Sequence, residues 1–134
     1  MVNLNPAAKK LLKSETIIWL TTVGSDLTPQ PRPVWFVPDG NDVLIYSQPQ
    51  AAKLAHIREH PRVSLHFNAD KWGSDETIVV FTGTATLEPE KPKGPLSADY
   101  IKKYKKDMAE LGMTPEQFAA SYCAPIRIKI TGLR

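Results

Sequence analysis

The sequence predicts a mainly β fold with short helices (α+β), in which about six antiparallel strands form a barrel with helices at its ends. Short runs of β-branched and aromatic residues recur along the chain, and proline, glycine, asparagine and aspartate separate them. Apolar residues at helical spacing mark three or four short segments between those runs. At 134 residues the chain has the length of one domain, so we predict a single domain over residues 1–134.

Each predicted strand is a run of β-branched or aromatic residues that ends at turn residues. The predicted strands cover residues 16–23, 28–37, 43–46, 63–67, 77–87 and 126–130. Pro29, Pro31 and Pro33 cannot donate hydrogen bonds to a sheet, so we expect the start of the second strand at a sheet edge or at a bulge. Gly83 and Ala85 leave room for another backbone to approach the fifth strand closely.

The predicted helices are marked by the residues at their starts. Asn5 and Thr114 are predicted N-caps, because each precedes a proline in the first helical position, and Thr114 also forms a capping-box pattern with Gln117. The predicted helices cover residues 7–14, 51–59 and 98–111, and a further helix begins after Thr114. The helix at 98–111 is amphipathic, and we interpret the lysines opposite its apolar stripe as a solvated face.

Residues 30–67 carry the candidate chemistry. The turn residues PDGN at 38–41 join two strands into a predicted antiparallel hairpin. The second of these strands ends at Ser47, and the short helix that follows it carries Lys53. A hydroxyl, the free N–H groups of a first helical turn and a lysine together form a candidate phosphate site. The alternative is a solvated lysine on a surface helix.

Composition and segment patterns argue against several classes of partner. A net charge of +3 is too small to indicate nucleic-acid binding, and no nucleic-acid-binding motif is present. No apolar run reaches membrane-spanning length, and the N-terminal residues lack the pattern of a signal peptide. The single cysteine, Cys123, leaves no intramolecular disulfide and suits a reducing compartment. We therefore expect a cytoplasmic protein with no nucleic-acid or membrane partner.

The sequence offers no obvious catalytic acid, base or metal site. His56 and His60 are four residues apart on a helix but lack the glutamate of a metalloprotease motif, and His66 lies on a separate strand. No nucleophile elbow, dinucleotide fingerprint or P-loop occurs. We therefore predict no metal and assign no catalytic residue. The pattern is typical of an enzyme whose reactive atoms belong to a cofactor.

An ordered set of motifs lies within residues 33–67: PVWF, then DG, then a strand that ends in YS, then SQPQAAKL, then HPRV before the strand SLHF. In this order the motifs resemble the pyridoxamine 5′-phosphate oxidase-like split β-barrel superfamily. Within that superfamily the chain is most similar to the flavin and deazaflavin oxidoreductases described as F420-dependent. The resemblance covers residues 7–88 and, more loosely, residues 125–131.

The resemblance implies an antiparallel split β-barrel of the FMN-binding kind, a homodimer, and a cofactor in the groove between the two subunits. It implies that a hydride passes between F420 and a small electrophilic organic substrate. One alternative is an FMN-dependent oxidoreductase of the same fold, and another is a non-catalytic carrier of a flavin or haem. A third alternative is an interaction module that binds an acidic partner through the lysines of residues 102–106 and is indifferent to Lys53→Ala.

The resemblance also implies which residues contact the cofactor. Residues 33–36 would lie along the ring, residues 46–48 would approach the ribityl chain and the phosphate, and Lys53 would pair with the phosphate. The implied contacts are Arg32, Pro33, Val34, Trp35, Phe36, Tyr46, Ser47, Gln48, Lys53, Arg58 and Trp72.

Two features of this chain leave alternatives for which residues form the implied site. Many relatives place a second basic residue just before the lysine, whereas here residues 50–52 are QAA, so Arg32, Arg58 or a residue of a second subunit would complete the site. Trp72 lies in a polar loop, where packing against its own barrel is the alternative to a contact with a cofactor or a second subunit.

Overall fold

The computed structural model describes residues 3–88 and 96–134, and their strands form one curled antiparallel sheet. The strands are β1 (Ile18–Val23), β2 (Pro29–Val34), β3 (Val37–Asp39), β4 (Asp42–Ser47), β5 (Arg62–His66), β6 (Val80–Leu87) and β7 (Ala124–Leu133). Their order in the sheet is β2-β1-β5-β6-β7-β4-β3. The described helices are α1 (Pro6–Ser14), α2 (Ala52–Glu59), α3 (Ala98–Glu110) and α4 (Pro115–Ser121). This architecture confirms the predicted α+β class.

The strand predicted over residues 28–37 is two strands. β2 ends at Val34 and β3 begins at Val37, so the chain leaves one edge of the sheet and enters the opposite edge across Trp35 and Phe36, a segment we call the crossing. This step spans at most about 11 Å, so the two edges lie close together and the sheet must curl. The described residues therefore form seven strands where about six were predicted.

One hydroxyl of helix α3 makes two hydrogen-bond contacts with the crossing. Tyr104 Oη accepts the backbone N–H of Phe36 at 2.8 Å and lies 2.9 Å from the carbonyl oxygen of the same residue. It also lies 2.8 Å from the carbonyl oxygen of Thr16. Tyr104 and Phe36 are both fully buried, so these contacts satisfy backbone groups that water does not reach.

Lys103 departs from the predicted solvated face of α3. Lys102, Lys105 and Lys106 are exposed as predicted, but Lys103 Nζ donates to the carbonyl oxygen of Phe36 at 3.0 Å and lies 3.6 Å from the centre of the Phe36 ring. Burial of the amine lowers the pKa of Lys103 to about 8, and the carboxylate of Glu15 partly opposes that change. A second side chain of α3 thus contacts the crossing.

The free energy of unfolding is expected to rise between about pH 8 and about pH 9.5 through Lys103. In the unfolded chain the amine returns to a pKa near 10.5, so over this range the unfolded state binds more protons than the folded state. Lys103 is half exposed, and we expect the gain to stay below about 1 kcal/mol. Urea unfolding at the two pH values should show a smaller rise in Lys103→Met than in the wild type. An equal rise in both proteins would contradict this assignment.

The strand predictions that depend on proline and glycine are confirmed. β2, with its three prolines, lies at an edge of the sheet. At Gly83 an added Cβ would lie 2.8 Å from the carbonyl oxygen of Lys129 and 2.8 Å from a methyl group of Ile128, so β7 approaches as closely as predicted. The predicted start of this strand is wrong, because Asp75–Thr77 forms a 3-10 turn and β6 begins at Val80.

Gly83→Ala is expected to destabilise the protein by about 2 kcal/mol, since the new methyl group meets backbone on β7, which cannot rotate away. Thr84→Ala at the neighbouring exposed position is the matched control and should cost less than about 1 kcal/mol. Urea unfolding of both variants measures the difference. A Gly83→Ala variant as stable as the control would mean that β6 and β7 separate at little cost.

The predicted helix starts are also confirmed. Asn5 Oδ1 accepts the N–H of Ala8 at 2.8 Å and caps α1. Thr114 and Gln117 form the predicted capping box at the start of α4, with bonds of 3.1 and 2.8 Å. Each bond satisfies an N–H group that the first helical turn leaves without a partner.

The buried apolar residues form two clusters. The larger cluster lies between the inner face of the sheet and helices α1 and α2. The second cluster joins α3 and α4 to the β3–β4 hairpin, and Trp35 packs against it. The helices α3 and α4 therefore cover the crossing.

Part of the predicted organisation lies outside the described residues. The loop expected at residues 88–95 is described only at Glu88, and the single domain over residues 1–134 stays a prediction. Within the described ranges, no helix combines the length and the apolar character needed to cross a bilayer.

Candidate functional site

A cavity of about 440 Å³, which we call the aromatic cavity, lies between the crossing, the end of β4 and the helices α3 and α4. It is lined by Ile17, Pro33, Val34, Trp35, Tyr46, Gln48, Lys53, Tyr100, Leu111, Phe118 and Tyr122. Its volume is in the range of small-molecule sites, and its wall is mainly apolar with a few polar groups, as is usual for such sites.

A second cavity of about 230 Å³, which we call the basic cavity, adjoins the first. It is lined by Thr22, Gln30, Arg32, Pro33, Ala51, Ala52, Lys53 and His56. Pro33 and Lys53 belong to both linings. The two cavities therefore adjoin at Pro33 and Lys53, and we call them together the groove, which is aromatic at one end and cationic at the other.

Lys53 stands at the junction of the two cavities and is half-buried. Burial, followed by the positive charge of Arg32, lowers the pKa of Lys53. Among the described residues no carboxylate pairs with it. A desolvated cation beside a second cation gains free energy when an anion binds between them, so this end of the groove favours an anionic group.

The start of α2 adds hydrogen-bond donors to the same place. Its N-cap is Ala51, which has no side chain that could cap the helix, and Ala51 and Ala52 line the basic cavity. The N–H groups of a first helical turn attract anions when no side chain occupies them. Ser47, predicted to approach the phosphate, is only 2% exposed, and its hydroxyl donates to the carbonyl oxygen of Gln48 at 3.0 Å.

Four aromatic rings form a stacked column at the other end of the groove. Trp35 stacks on Tyr104 at 4.6 Å and on Phe118 at 5.3 Å, and Phe118 stacks on Tyr122 at 4.3 Å. Both Tyr104 and Phe118 are nearly parallel to the indole, with interplanar angles of 2° and 10°. Trp35, Phe118 and Tyr122 of this column line the aromatic cavity, and half-buried Tyr122 ends the column.

The structure brings seven of the eleven implied contact residues together. Pro33, Val34, Trp35, Tyr46, Gln48 and Lys53 line the aromatic cavity, and Arg32 joins Lys53 in the basic cavity. The backbone of Phe36 is already bonded to Tyr104 and Lys103, and its ring is fully buried.

The remaining implied residues lie apart from both cavities. Arg58 is exposed on α2. Trp72 is 77% exposed, so it does not pack against its own barrel, and Lys71 Nζ lies 4.7 Å from its ring centre. Within the described ranges, no three His, Cys, Asp or Glu side chains group as a metal site.

Several lining residues were not predicted from the sequence. Tyr100, Leu111, Phe118 and Tyr122 come from or directly follow α3 and α4, and their helical spacing indicates core packing without showing which strand they face. His56 had a usable signal, because it stands three residues after Lys53 and such residues share one helix face.

The comparisons with known proteins agree with this architecture. The family model described as pyridoxamine 5′-phosphate oxidase matches residues 4–130, whereas none of the curated proteins matches the sequence. The chain is similar to an F420 reductase structure, at 21% identity and a TM-score of 0.71, over 98% of each chain.

Two further solved structures bind or store different groups. The haem storage protein HutZ from Vibrio cholerae is 15% identical with a TM-score of 0.66, over 99% of this chain and 94% of that one. An FAD-binding protein from Mesorhizobium loti is 19% identical with a TM-score of 0.62, over 93% of this chain and 86% of that one. These likenesses establish the split-barrel fold and confirm the fold that the resemblance implied.

Proposed function

Because the chain belongs to the pyridoxamine 5′-phosphate oxidase family, we propose that it is an oxidoreductase that transfers a hydride between F420 and a small electrophilic organic substrate. The observation that carries the proposal is the groove in which the aromatic and basic cavities meet at Lys53. A planar ring joined through a ribityl chain to a phosphate has the same sequence of chemical groups as this groove. FMN is the alternative cofactor, because it shares those three parts.

The residues present fit such a cofactor. The ring would occupy the aromatic cavity, the chain would pass Tyr46 and Gln48, and Lys53 and Arg32 would hold the phosphate at the start of α2. When bound, the deazaflavin supplies the hydride chemistry.

The lining side chains orient the ligands and keep water out. Phe118 is buried and Tyr122 half-buried at the apolar wall, which limits the access of water to a reacting ring. Burial, followed by the neighbouring tyrosines, raises the pKa of Tyr100 far above its usual value, so this residue remains a neutral phenol. The substrate would lie against the ring inside the same cavity.

One feature of the groove argues against haem, and a second accommodates the tail of F420. No histidine, cysteine or methionine is among the described residues that line the aromatic cavity, and His56 of the adjoining basic cavity is held at Nδ1 by Thr22. These three residue types are common ligands of haem iron. At the basic cavity Arg32 and Ala52 are exposed, which leaves a way out for the lactyl-glutamate tail that follows the phosphate of F420. FMN ends at its phosphate and needs no such exit.

The test combines cofactor titration with turnover. F420 and FMN are titrated separately into Trp19→Phe/Trp72→Phe, so that Trp35, at the cavity edge, reports binding by fluorescence. Reduced F420 is then mixed with a quinone while its reoxidation is followed. We expect F420 to bind at micromolar concentration or tighter and its reduced form to be reoxidised. Binding of FMN alone would favour FMN, binding without turnover would favour a carrier, and no binding would contradict the proposed site.

We also propose that the protein is a homodimer. Trp72 is 77% exposed and Ile78 is 48% exposed on the segment before β6, and large apolar side chains in solvent are typical of interfaces. Sedimentation equilibrium should show a dimer at micromolar concentration. A monomer under those conditions would contradict this part of the proposal.

A further inference from the structure

His56 lines the basic cavity with its ring held by a buried hydroxyl. Its Nδ1 lies 2.9 Å from Thr22 Oγ1, and Thr22 is only 2% exposed. Gly24 also borders the ring, because a Cβ at that position would lie 3.0 Å from Nε2 of the imidazole. The imidazole therefore occupies a defined place beside the last turn of α2, where a larger residue at position 24 would disturb it.

Two cationic side chains line the basic cavity together with this imidazole. Lys53 stands one turn before His56 on α2, and Arg32 reaches the same cavity from β2. The lining residues that the structure describes include no carboxylate. A protonated His56 would be the third cation in a cavity of about 230 Å³.

The acidic groups near His56 along the chain have partners elsewhere. Asp26, two residues beyond Gly24, accepts the N–H of Thr28 at 3.0 Å and is exposed. Glu59, on α2, lies 3.8 Å from the ring of His60. The strands that pack against α2 are β1 and β6, and neither carries a titratable residue. The charge around His56 is therefore set by Lys53 and Arg32, and an added anion would offset it.

We infer that His56 is a phosphate-binding residue of this chain and that it takes up a proton from solvent when the phosphate ester of the cofactor binds. The inference rests on the proposed function, which places that phosphate in the basic cavity. A threonine hydroxyl both donates and accepts, so the Thr22 contact holds whether the ring is neutral or protonated. Since imidazole changes charge near neutral pH, we expect the affinity for the phosphate ester to be higher at about pH 6 than at about pH 8.

The test is an NMR titration of the histidine rings in the full chain, alone and with saturating F420, FMN or riboflavin. F420 and FMN should raise the titration midpoint of His56 by about one pH unit, which corresponds to about tenfold tighter binding to the protonated ring. Riboflavin carries the same ring and ribityl chain as FMN without the phosphate, and it should leave the midpoint unchanged. His60 and His66 line neither cavity and serve as internal controls.

Each outcome separates the inference from the proposed function. If F420 or FMN binds while the midpoint of His56 stays in place, the inference is wrong and the proposed function stands. If neither cofactor binds, the NMR titration is repeated with inorganic phosphate. A shift of His56 alone would then support an anion site independent of redox chemistry, and no shift would refute it.

Substitutions give a second readout. His56→Gln should weaken F420 binding about tenfold at about pH 6 and less than about twofold at about pH 8. His60→Gln, on the same helix, is the matched control and should behave as the wild type at both pH values. Thr22→Ser keeps the hydroxyl and should preserve the pH dependence, whereas Thr22→Val should remove it. Equal pH dependence in all four variants would overturn the inference.

Discussion

Replacing Lys53 by methionine is expected to weaken the binding of F420 and of FMN at least about tenfold. The amine stands between the aromatic and basic cavities, half-buried and beside Arg32. A hydrogen bond to a charged group contributes about 1.5–3 kcal/mol, which corresponds to about ten- to hundredfold in affinity. Methionine keeps the apolar stem, so the wall of the cavity should survive the change. Fluorescence titration of Trp35 measures the loss.

Two controls show whether that loss belongs to the phosphate. Arg58→Met removes a cation from the same helix at an exposed position outside both cavities, and it should leave both dissociation constants within about twofold. Riboflavin binding should not change in Lys53→Met, because riboflavin has no phosphate. Equal losses for Lys53→Met and Arg58→Met would instead indicate a general effect of surface charge.

Local rules were enough to predict where helices α1 and α4 begin. The caps at Asn5 and Thr114 depend on bonds that reach only three residues along the chain. The edge position of β2 likewise follows from its prolines alone. Such features depend on neighbouring residues, and these can be read directly from the sequence.

The crossing could not be predicted in this way. The run PVWF is compatible with an uninterrupted strand, and its break depends on a hydroxyl from Tyr104, 68 residues away from Phe36. The missed division of the strand and the missed helical wall of the cavity have the same cause, because α3 meets the crossing only in the folded chain.

The sequence therefore predicted the side of the candidate site formed by residues 32–53 but not the side formed by helices α3 and α4. Most of the contact residues implied between Arg32 and Lys53 line the two cavities along β2, β4 and α2 of one chain. The groove between two subunits that the resemblance implied stays a prediction. The sequence predicts a helix after Thr114 but not the role of Phe118 and Tyr122, since helical spacing alone does not distinguish packing against the core from lining a cavity. A ligand-binding role for the residues of the groove stays a prediction.

Tyr104→Phe is expected to lower the free energy of unfolding by about 2–4 kcal/mol, although it removes only one oxygen atom. That oxygen accepts the buried N–H of Phe36 at 2.8 Å and can donate to one of two carbonyl oxygens, those of Phe36 and Thr16. Phenylalanine leaves the N–H buried without a partner, which costs about 1–3 kcal/mol in addition to the lost hydrogen bonds. Lys103 would still donate a hydrogen bond to the carbonyl oxygen of Phe36. Urea unfolding measures the change, and the melting temperature should fall by about 10 °C.

Tyr122→Phe separates the role of the hydroxyl from that of the ring. Both variants retain a six-membered ring in the stacked column, but Tyr122 is half-exposed and its hydroxyl has no hydrogen-bond partner among the described residues. Its loss should change the stability by less than about 0.5 kcal/mol. A Tyr104→Phe protein no less stable than this control would show that the crossing holds without the hydroxyl. If the predicted loss is found, F420 binding should also weaken in Tyr104→Phe, because Trp35 lines the cavity and its position depends on the same crossing.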